Sequence, residues 1–342
     1  MSFKIFMMRV RTLTSGEDLR RYSEWVLTHP QGNLWQSLEW KRYQESLGRL
    51  VKIYVTEEAE HITASAMVMI DRTVFGLSTW DIPRGPLSSY ELLAMSDEKK
   101  ILFLEYIFQE AKKDRCFALY LSPPPSLKAQ SSKLKASPRC EQLESTIVID
   151  VSQSEDSILT QMHQKARYNI KTARRHGVAV SEHTGDDQKA LDSLYTLLTQ
   201  TAARDGFTHL PKSHYEAFLK HLEGSFFLMA WHNQKPVAGL LGVMWKDLGF
   251  YYYGASSYEH RQLMAPYLLQ WEAMLHCKKA GCTRYDLLGI APEGTGSDNP
   301  WAGITEFKRK FGGTIVNYPQ EQMIVLKPMT KKLLEWKRKV VD

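Results

Sequence analysis

The sequence has no apolar run near the roughly 20 residues a membrane-spanning helix requires; its longest, such as Val237 to Trp245, fall well short. Cysteine is scarce. Cys116, Cys140, Cys277 and Cys282 are too scattered for a disulfide framework, and the single C-x4-C pair has no second pair or histidines at zinc spacing. Buried, reduced thiols are expected. Met1–Leu13 carries Lys4, Arg9 and Arg11 and no small-residue cleavage site, so a cytoplasmic protein is expected. Also missing are a G-x-S-x-G elbow, a P-loop, an H-E-x-x-H pair and a dinucleotide fingerprint, which removes the usual support for hydrolase, NTPase and dehydrogenase readings. Histidines are scattered, with His209 and His214 the one suggestive pair, and no metal site is expected.

What is present is an ordinary globular composition: 342 residues, 43% hydrophobic and 24% charged, long enough for two domains. VKIYV and ITASAMVMI, joined by the acidic turn Glu57–His61, read as a hairpin over 51–70. Phe226–Trp231, Pro236–Trp245 and Gly249–Ala255 read as an antiparallel meander. Helical patterns flank both blocks: Leu19–Thr28, Trp35–Leu47 and Asp97–Lys113 around the first, and Gln188–Arg204, Ser213–Glu223 and Pro266–Ala280 around the second. Between the halves, Pro123–Glu144 is rich in proline, serine and lysine and reads as a surface loop. Helix, helix, antiparallel strands, helix, strand is the order of an acyltransferase fold. Two tandem copies are therefore expected, each an α/β (α+β) domain with a central mixed sheet flanked by helices.

The net charge of +6 permits a polyanionic partner, and its distribution is more informative than its sum. Residues 163–178, HQKARYNIKTARRHGV, contain Lys165, Arg167, Lys171, Arg174 and Arg175 and no acid. On a helix Arg167, Lys171 and Arg174 or Arg175 share a face, while Ile158, Met162, Ala166, Ile170 and Ala173 form an apolar stripe, with Gly177 as the C-terminal stop. Such a face is either solvated or matched by phosphates, and Tyr168 is placed either to stack on a base or to edge the core. After the meander, Arg261-Gln-Leu-Met-Ala-Pro266 sits where a coenzyme A loop, Q/R-x-x-G-x-G/A, would cradle pyrophosphate on backbone amides. Met264 replaces a glycine there and Pro266 has no N–H, so the cradle is poorly supported. Further on, Arg284–Ile290 reads as a strand ending at glycine. It is followed by the polar loop Ala291–Asn299 and then by ITEFKRKFGG, in which Phe307 and Phe311 are expected to face the core and project Lys308 and Arg309 away from it.

Taken in order, WQSLEWKRYQ, IPRGPL (Ile82–Leu87), KARYNIKTARRHGV, YYYGAS, APYLLQWEAM, YDLLGI and FKRKFGG resemble the FemABX family of aminoacyl-tRNA-dependent peptidyltransferases over nearly the whole chain. No long heptad pattern interrupts 151–324, so the arm-free FemX type is the closer match. The resemblance implies two GNAT-like domains, 1–150 plus 325–342 and 151–324. It also implies aminoacyl-tRNA as donor, and a peptidoglycan precursor, UDP-MurNAc-pentapeptide or lipid II, as acceptor of Ala, Ser or Gly. It carries a catalytic role to Lys308 and Phe307, and substrate contacts to Trp40, Lys41, Arg42, Arg84, Lys212, Tyr215 and Tyr253. Lys165, Arg167, Lys171, Arg174 and Arg175 become the tRNA surface. No cofactor is implied.

Two departures stand out. Ser122 replaces an aspartate that precedes a proline, and Leu210 replaces a phosphate-contacting arginine, with Lys212 close by as a substitute. A lipid-linked acceptor would bring the protein to the inner face of the membrane, where Lys331–Lys339 is either a peripheral membrane contact or a helix packed on the first domain. The rival readings are a coenzyme A-dependent N-acyltransferase and a tRNA- or RNA-binding module without transfer.

Overall fold

The computed structural model describes residues 9–88, 97–124, 134–139, 144–296 and 298–331. The basic stretch after Lys331, Cys140 and much of the expected inter-domain loop lie outside them. Contacts divide the chain into two units, 1–142 with 318–342, and 143–317.

In the first unit, β1 (Arg9–Thr12), β2 (Leu50–Glu58), β3 (His61–Arg72) and β4 (Ser78–Ile82) form an antiparallel run. Next to it lie β6 (Cys116–Leu121), parallel to β4, then β15 (Gln322–Val325) and β7 (Lys135–Ala136), both antiparallel additions; β5 (Leu87–Ser88) pairs with β3. The β2–β3 hairpin closes where sequence placed it. Ala59 and Glu60 both take positive φ, the backbone sense that matches the twist of the flanking strands. Helices α1 (Gly16–Thr28), α2 (Leu38–Ser46) and α3 (Asp97–Lys113) accompany this sheet. Phe103, Ile107, Phe108 and Ala111 of α3 meet Tyr54, Val68, Ile70 and Trp80 of the strands in one buried cluster.

The second unit repeats the pattern. Strands β9 (Ala179–His183), β10 (Ser225–His232), β11 (Lys235–Trp245) and β12 (Leu248–Ser256) are antiparallel; β13 (Arg284–Asp286) is parallel to β12; β8 (Ser145–Asp150) and β14 (Thr314–Asn317) complete the sheet. Each sheet is thus an antiparallel meander ending in a parallel pair, followed by an antiparallel strand. The chain is a mixed α/β protein of two such domains in tandem. One core of the second unit joins α4 (Glu155–Gln161), α5 (Gln164–Arg175) and α8 (Ala265–Lys279) to Phe226, Leu228, Ala230, Ala238 and Leu240. Helices α6 (Gln188–Asp205) and α7 (Lys212–His221) meet the alternate strand residues, as strand periodicity requires.

Three expectations are corrected. The divisions at 150 and 325 give way to 142 and 317, because β8 hydrogen-bonds to β13 and β14 of the second sheet whereas Tyr318–Val325 continues into the first. The apolar stripe from Ile158 to Ala173 is buried throughout but spans two helices. Met162 is extended, and the His163 ring accepts from Lys165 N at 3.1 Å to start α5. Finally, the segment read as a surface loop contributes β7 and a buried Ser137, because Arg139 pairs with Glu321 at 2.8 Å and with Asp81 while lying 3.4 Å over the Tyr120 ring.

Gly313 has φ +87°, and a Cβ there would sit 2.6 Å from the Val148 carbonyl oxygen. Gly313→Ala is expected to destabilise the second unit by about 1–3 kcal/mol, combining left-handed strain with collision against β8. The check is a fall of several degrees in the thermal transition.

Candidate active site

The second unit gathers a polar interior at the carboxyl end of β13, beside Phe250 and Tyr251 in the middle of the parallel strand β12; strand carboxyl ends are where α/β sheets commonly bind ligands. β13 ends at Asp286, 2% exposed. Its carboxylate accepts from Leu288 N at 2.7 Å and from the Thr146 hydroxyl. That bond stabilises Leu288 at φ +53°, a conformation a leucine rarely adopts, and turns the chain out of the strand. The turn presents the carbonyls of Leu288 and Gly289 together.

Both carbonyls face Lys308, whose Nζ donates to Gly289 O at 2.6 Å and Leu288 O at 3.1 Å. Lys308 lies in the last turn of α9 (Ala302–Arg309) and is 4% exposed. The expected outward projection is therefore corrected. Thr305 and Lys308, one turn apart, form the inward face, with the Thr305 hydroxyl accepting from Ala291 N at 2.8 Å and donating to Trp301 O at 2.6 Å. Arg309 is exposed as expected, and Phe307 stacks edge-on with Tyr267 and Phe311, centroids 5.1 Å apart in each case.

Burial pushes the Lys308 amine down to about 7, with Asp286 opposing that shift. The Tyr251 ring centroid is 5.6 Å from Nζ. Burial holds its hydroxyl up at about 12, against a hydrogen bond from Gln270, which also accepts from Tyr285 OH at 3.0 Å. The amine titrates near neutrality, and two of its N–H groups are accounted for among the described residues. Such a group can offer its remaining proton, or its charge, to an oxygen brought against it.

Tyr253, the meander tyrosine, does not join this group. The β11–β12 register slips at Tyr252, so Tyr251 opposes Gly242 and Tyr253 opposes Leu241, and the two rings turn to opposite faces. Tyr253 packs against Tyr215 at 5.1 Å and Phe218 at 5.5 Å and hydrogen-bonds His214 Nε2 at 3.0 Å. Tyr215, 2% exposed, accepts from Leu210 N at 3.2 Å. Lys212 is engaged by Asp192 at 2.5 Å and Glu216 at 3.6 Å.

The cationic helix adjoins the lysine helix, since His163 N donates to Lys310 O at 2.9 Å. Its five cations are not equivalent. Arg167 turns back to the carbonyls of Thr160 and Met162, closing α4, so it is only partly exposed. Arg174 finds on α8 a carboxylate that its own helix lacks, Glu272 at 3.1 Å. Arg175 lies 5.6 Å from the Tyr168 ring, which is 60% exposed. Lys165 and Lys171 are exposed.

In the first unit, Lys41 and Arg42 line a cleft of about 430 Å3 with Arg20 and Ser23 of α1. Lys41 pairs with Glu45 at 2.5 Å. Trp40 is 5% exposed, packed between Trp35 and Tyr43, and Arg84 is buried 3.6 Å over the Tyr318 ring. Beside Ser122, whose hydroxyl is 3.4 Å from it, lies the buried carboxylate of Glu321. Sequence reasoning marks the segment of Tyr251 without giving that residue a role, and it does not single out Asp286, Arg20 or Glu321. Asp286 ends a strand just before the glycine turn and was legible in principle; Glu321 comes 199 residues after Ser122 and was not.

The loop after β12 cannot act as a backbone cradle. Arg261, Leu263 and Met264 spend their N–H groups on Tyr258, His260 and Arg261 carbonyls, Met264 occupies the left-handed conformation at φ +56°, and Pro266 opens α8. Among the described residues no cluster of histidine, cysteine and carboxylates could hold a metal ion, and no helix is long and apolar enough to cross a membrane.

The model of the FemAB family matches residues 19–145, 133–233 and 227–337. UDP-N-acetylmuramoylpentapeptide-lysine N(6)-alanyltransferase of Weissella viridescens is 22% identical over 310 residues, covering 84% of this chain and 89% of its own. Among solved structures, FemX superposes with a TM-score of 0.76 at 16% identity, covering 95% of this chain and 100% of its own. A tandem GNAT protein from the clavulanic acid biosynthesis pathway superposes with a TM-score of 0.58 at 10% identity, covering 92% and 98%. With the family matched from residue 19 to 337 and the tandem fold on the page, the chain belongs to the FemAB family and is an aminoacyltransferase.

Proposed function

We propose that the protein transfers an amino acid, alanine, serine or glycine, from aminoacyl-tRNA to the stem-peptide side-chain amine of a peptidoglycan precursor. The UDP-linked pentapeptide is favoured over lipid II, because the alanyltransferase relative is named for it. The observation that carries the reading is the buried Lys308 amine at the end of β13, over Tyr251 of β12. In the reaction the acceptor nitrogen attacks the ester carbonyl carbon, a C–N bond forms, and the C–O bond to the ribose breaks. The proton released by the acceptor ends on the ribose hydroxyl. Negative charge develops on the carbonyl oxygen, and a preorganised ammonium in a dry site stabilises it. Lys308 is the group we assign to that oxygen, with Phe307 packing its helix in place. The ester is already activated, so the protein mainly aligns the reactants and needs no metal or nucleotide cofactor for the step.

In the first unit the cleft of Arg20, Lys41 and Arg42 suits the diphosphate of the acceptor, since three cations border it. Arg84 and Trp40 would shape that unit's interior. In the second, Tyr215 and Tyr253 pack against each other on the face away from Tyr251, and Lys212 is held by Asp192 and Glu216, so these three read as structural rather than as a phosphate anchor. Lys165 and Lys171 would meet tRNA phosphates, with Arg174 and Arg175 at the far end of the helix. The coenzyme A alternative is disfavoured by the spent amides of Arg261, Leu263 and Met264 and by Pro266, which has no N–H.

The primary test is transfer of radiolabelled amino acid from charged tRNA to UDP-MurNAc-pentapeptide and, in parallel, to lipid II. Label that stays on tRNA with both acceptors would overturn the proposal. Lys308→Met should lower kcat by about 10²–10³, with little change in KM for charged tRNA.

The pH dependence follows from the sign of the shift. A lysine with its amine near 7 is charged below that pH and neutral above it, so kcat/KM should carry a limb that falls as pH rises through about 7 and disappears in Lys308→Met. A limb that rises there and vanishes in the variant would make Lys308 a base instead. Replacing Lys165 and Lys171 together by Gln should weaken tRNA binding and reduce its log–log salt slope by roughly 1.5–2.

A further inference from the structure

The outer strand of the second sheet carries a cluster that aminoacyl transfer leaves unused. Among the described residues β9 is the last strand of that sheet, separated from β12 by β10 and β11. Alternation puts Ser181 and His183 on one face of β9, in register with Met229 and Phe227 of β10. Asp187 reaches the same face from the start of α6. Its Oδ1 accepts from Ala190 N at 3.0 Å, which caps that helix, and its Oδ2 lies 2.7 Å from His183 Nδ1. His183 Nε2 is 2.7 Å from Ser181 Oγ, and Trp231 Nε1 donates to the same oxygen at 2.9 Å.

The proton positions follow from these partners. A carboxylate only accepts, so Nδ1 carries the ring proton; in the neutral imidazole Nε2 is then bare, and Ser181 must donate to it. The Ala190 amide and the His183 ring hold the Asp187 carboxyl below its ordinary range, so it is charged near neutrality. The Trp231 N–H, aimed at Oγ, favours negative charge on that oxygen. A tie between strand and helix would need only the bond from His183 to Asp187. The second ring nitrogen, aligned on a hydroxyl that also receives an indole N–H, is what lets an imidazole take the proton of a serine nucleophile. Such a triad is recognised by geometry and roles, so the absence of a G-x-S-x-G elbow does not count against it.

The three groups are within reach of a ligand. Ser181 is half-buried, and the His183 and Asp187 side chains keep 16% and 39% of their exposure. The half-buried Trp231 ring borders the serine and gives a short acyl group an apolar wall. Its N–H is also placed to donate to the carbonyl oxygen of a group attached at Oγ.

We infer that Ser181, His183 and Asp187 form a second catalytic site, an esterase acting on short, apolar acyl esters. Oγ attacks the carbonyl carbon while its proton passes to His183 Nε2. The C–O bond to the alcohol breaks, the alcohol leaves with that proton, and the acyl group stays on Oγ. Water then attacks the acyl carbon and gives a proton to Nε2, and the acid departs as Oγ recovers it. One ester and one water become one acid and one alcohol. Asp187 is a positioning residue. The inference is independent of the transfer reading above.

The test is reaction of the full-length protein with a fluorophosphonate, whose fluoride an activated serine displaces, with the modified residue read by peptide mass spectrometry. Hydrolysis of p-nitrophenyl acetate is followed in parallel. Label is expected on Ser181, together with saturable release of p-nitrophenol that Ser181→Ala removes. His183→Gln should slow labelling by about 10²–10⁴, the usual contribution of a positioned base. Asp187→Asn still caps α6 but donates its amide to Nδ1, which moves the ring proton to Nε2 and should slow labelling comparably. A purely structural aspartate would shift the thermal transition and leave the labelling rate unchanged.

Folded wild-type protein whose Ser181 stays unlabelled would overturn the site. Equal labelling rates in wild type, His183→Gln and Asp187→Asn would also overturn it, since they mark an ordinary accessible hydroxyl. Undiminished release of p-nitrophenol by Ser181→Ala would do the same.

Discussion

Moving an ammonium out of water is among the costliest things a fold can do, and the interior of the second unit is arranged around one such group. Lys308 receives two carbonyl oxygens and the field of Asp286, enough to hold the amine in place but too little to keep its ordinary basicity. To offer two carbonyls at once the chain must leave β13 abruptly. That is why a leucine is accepted with positive φ at 288 and why Asp286 is itself pinned by Thr146 and the Leu288 amide. Thr305, one turn before the lysine, ties α9 to the same segment through Ala291. Strand, turn and helix are thereby held together by one connected set of polar contacts.

Much of this was legible in the sequence. Alternation and turn chemistry located the hairpin and the meander, and the 3.6-residue period located every long helix now seen beside them. Those signals are local, so one window of chain contains them. The failures have a common cause as well. The inward face of α9 depends on carbonyls about 20 residues earlier, the division of the cationic helix depends on Arg167 reaching back to Thr160 and Met162, and the opposed faces of Tyr251 and Tyr253 depend on a register slip against β11. Each is decided by a partner that no window contains. Lysine beside phenylalanine reads as surface beside core until the acceptors for its protons are known.

The two sheets share a plan and diverge in what they bury at the ends of their parallel pairs. The second has a lysine among carbonyls. The first has Arg139 between Asp81 and Glu321, lying over Tyr120 and next to Ser122. A repeated scaffold thus supports opposite polar solutions at one topological position, and the backbone order that identifies the fold is silent about the chemistry it holds.

The sixth strand of that plan is supplied in different ways. In the second sheet it is β8, which immediately precedes the rest of its unit; in the first it is β15, near the other extreme of the chain. On the ribosome, therefore, the portion made first is the portion completed last. β6 must wait with an open edge, and Arg139 and Ser122 without their carboxylate, until residues 318–325 have emerged, by which time 143–317 already holds everything its own sheet requires. Translation order and folding order run in opposite directions, and nascent chains stalled before residue 318 would present an unpaired strand to the cell's chaperones.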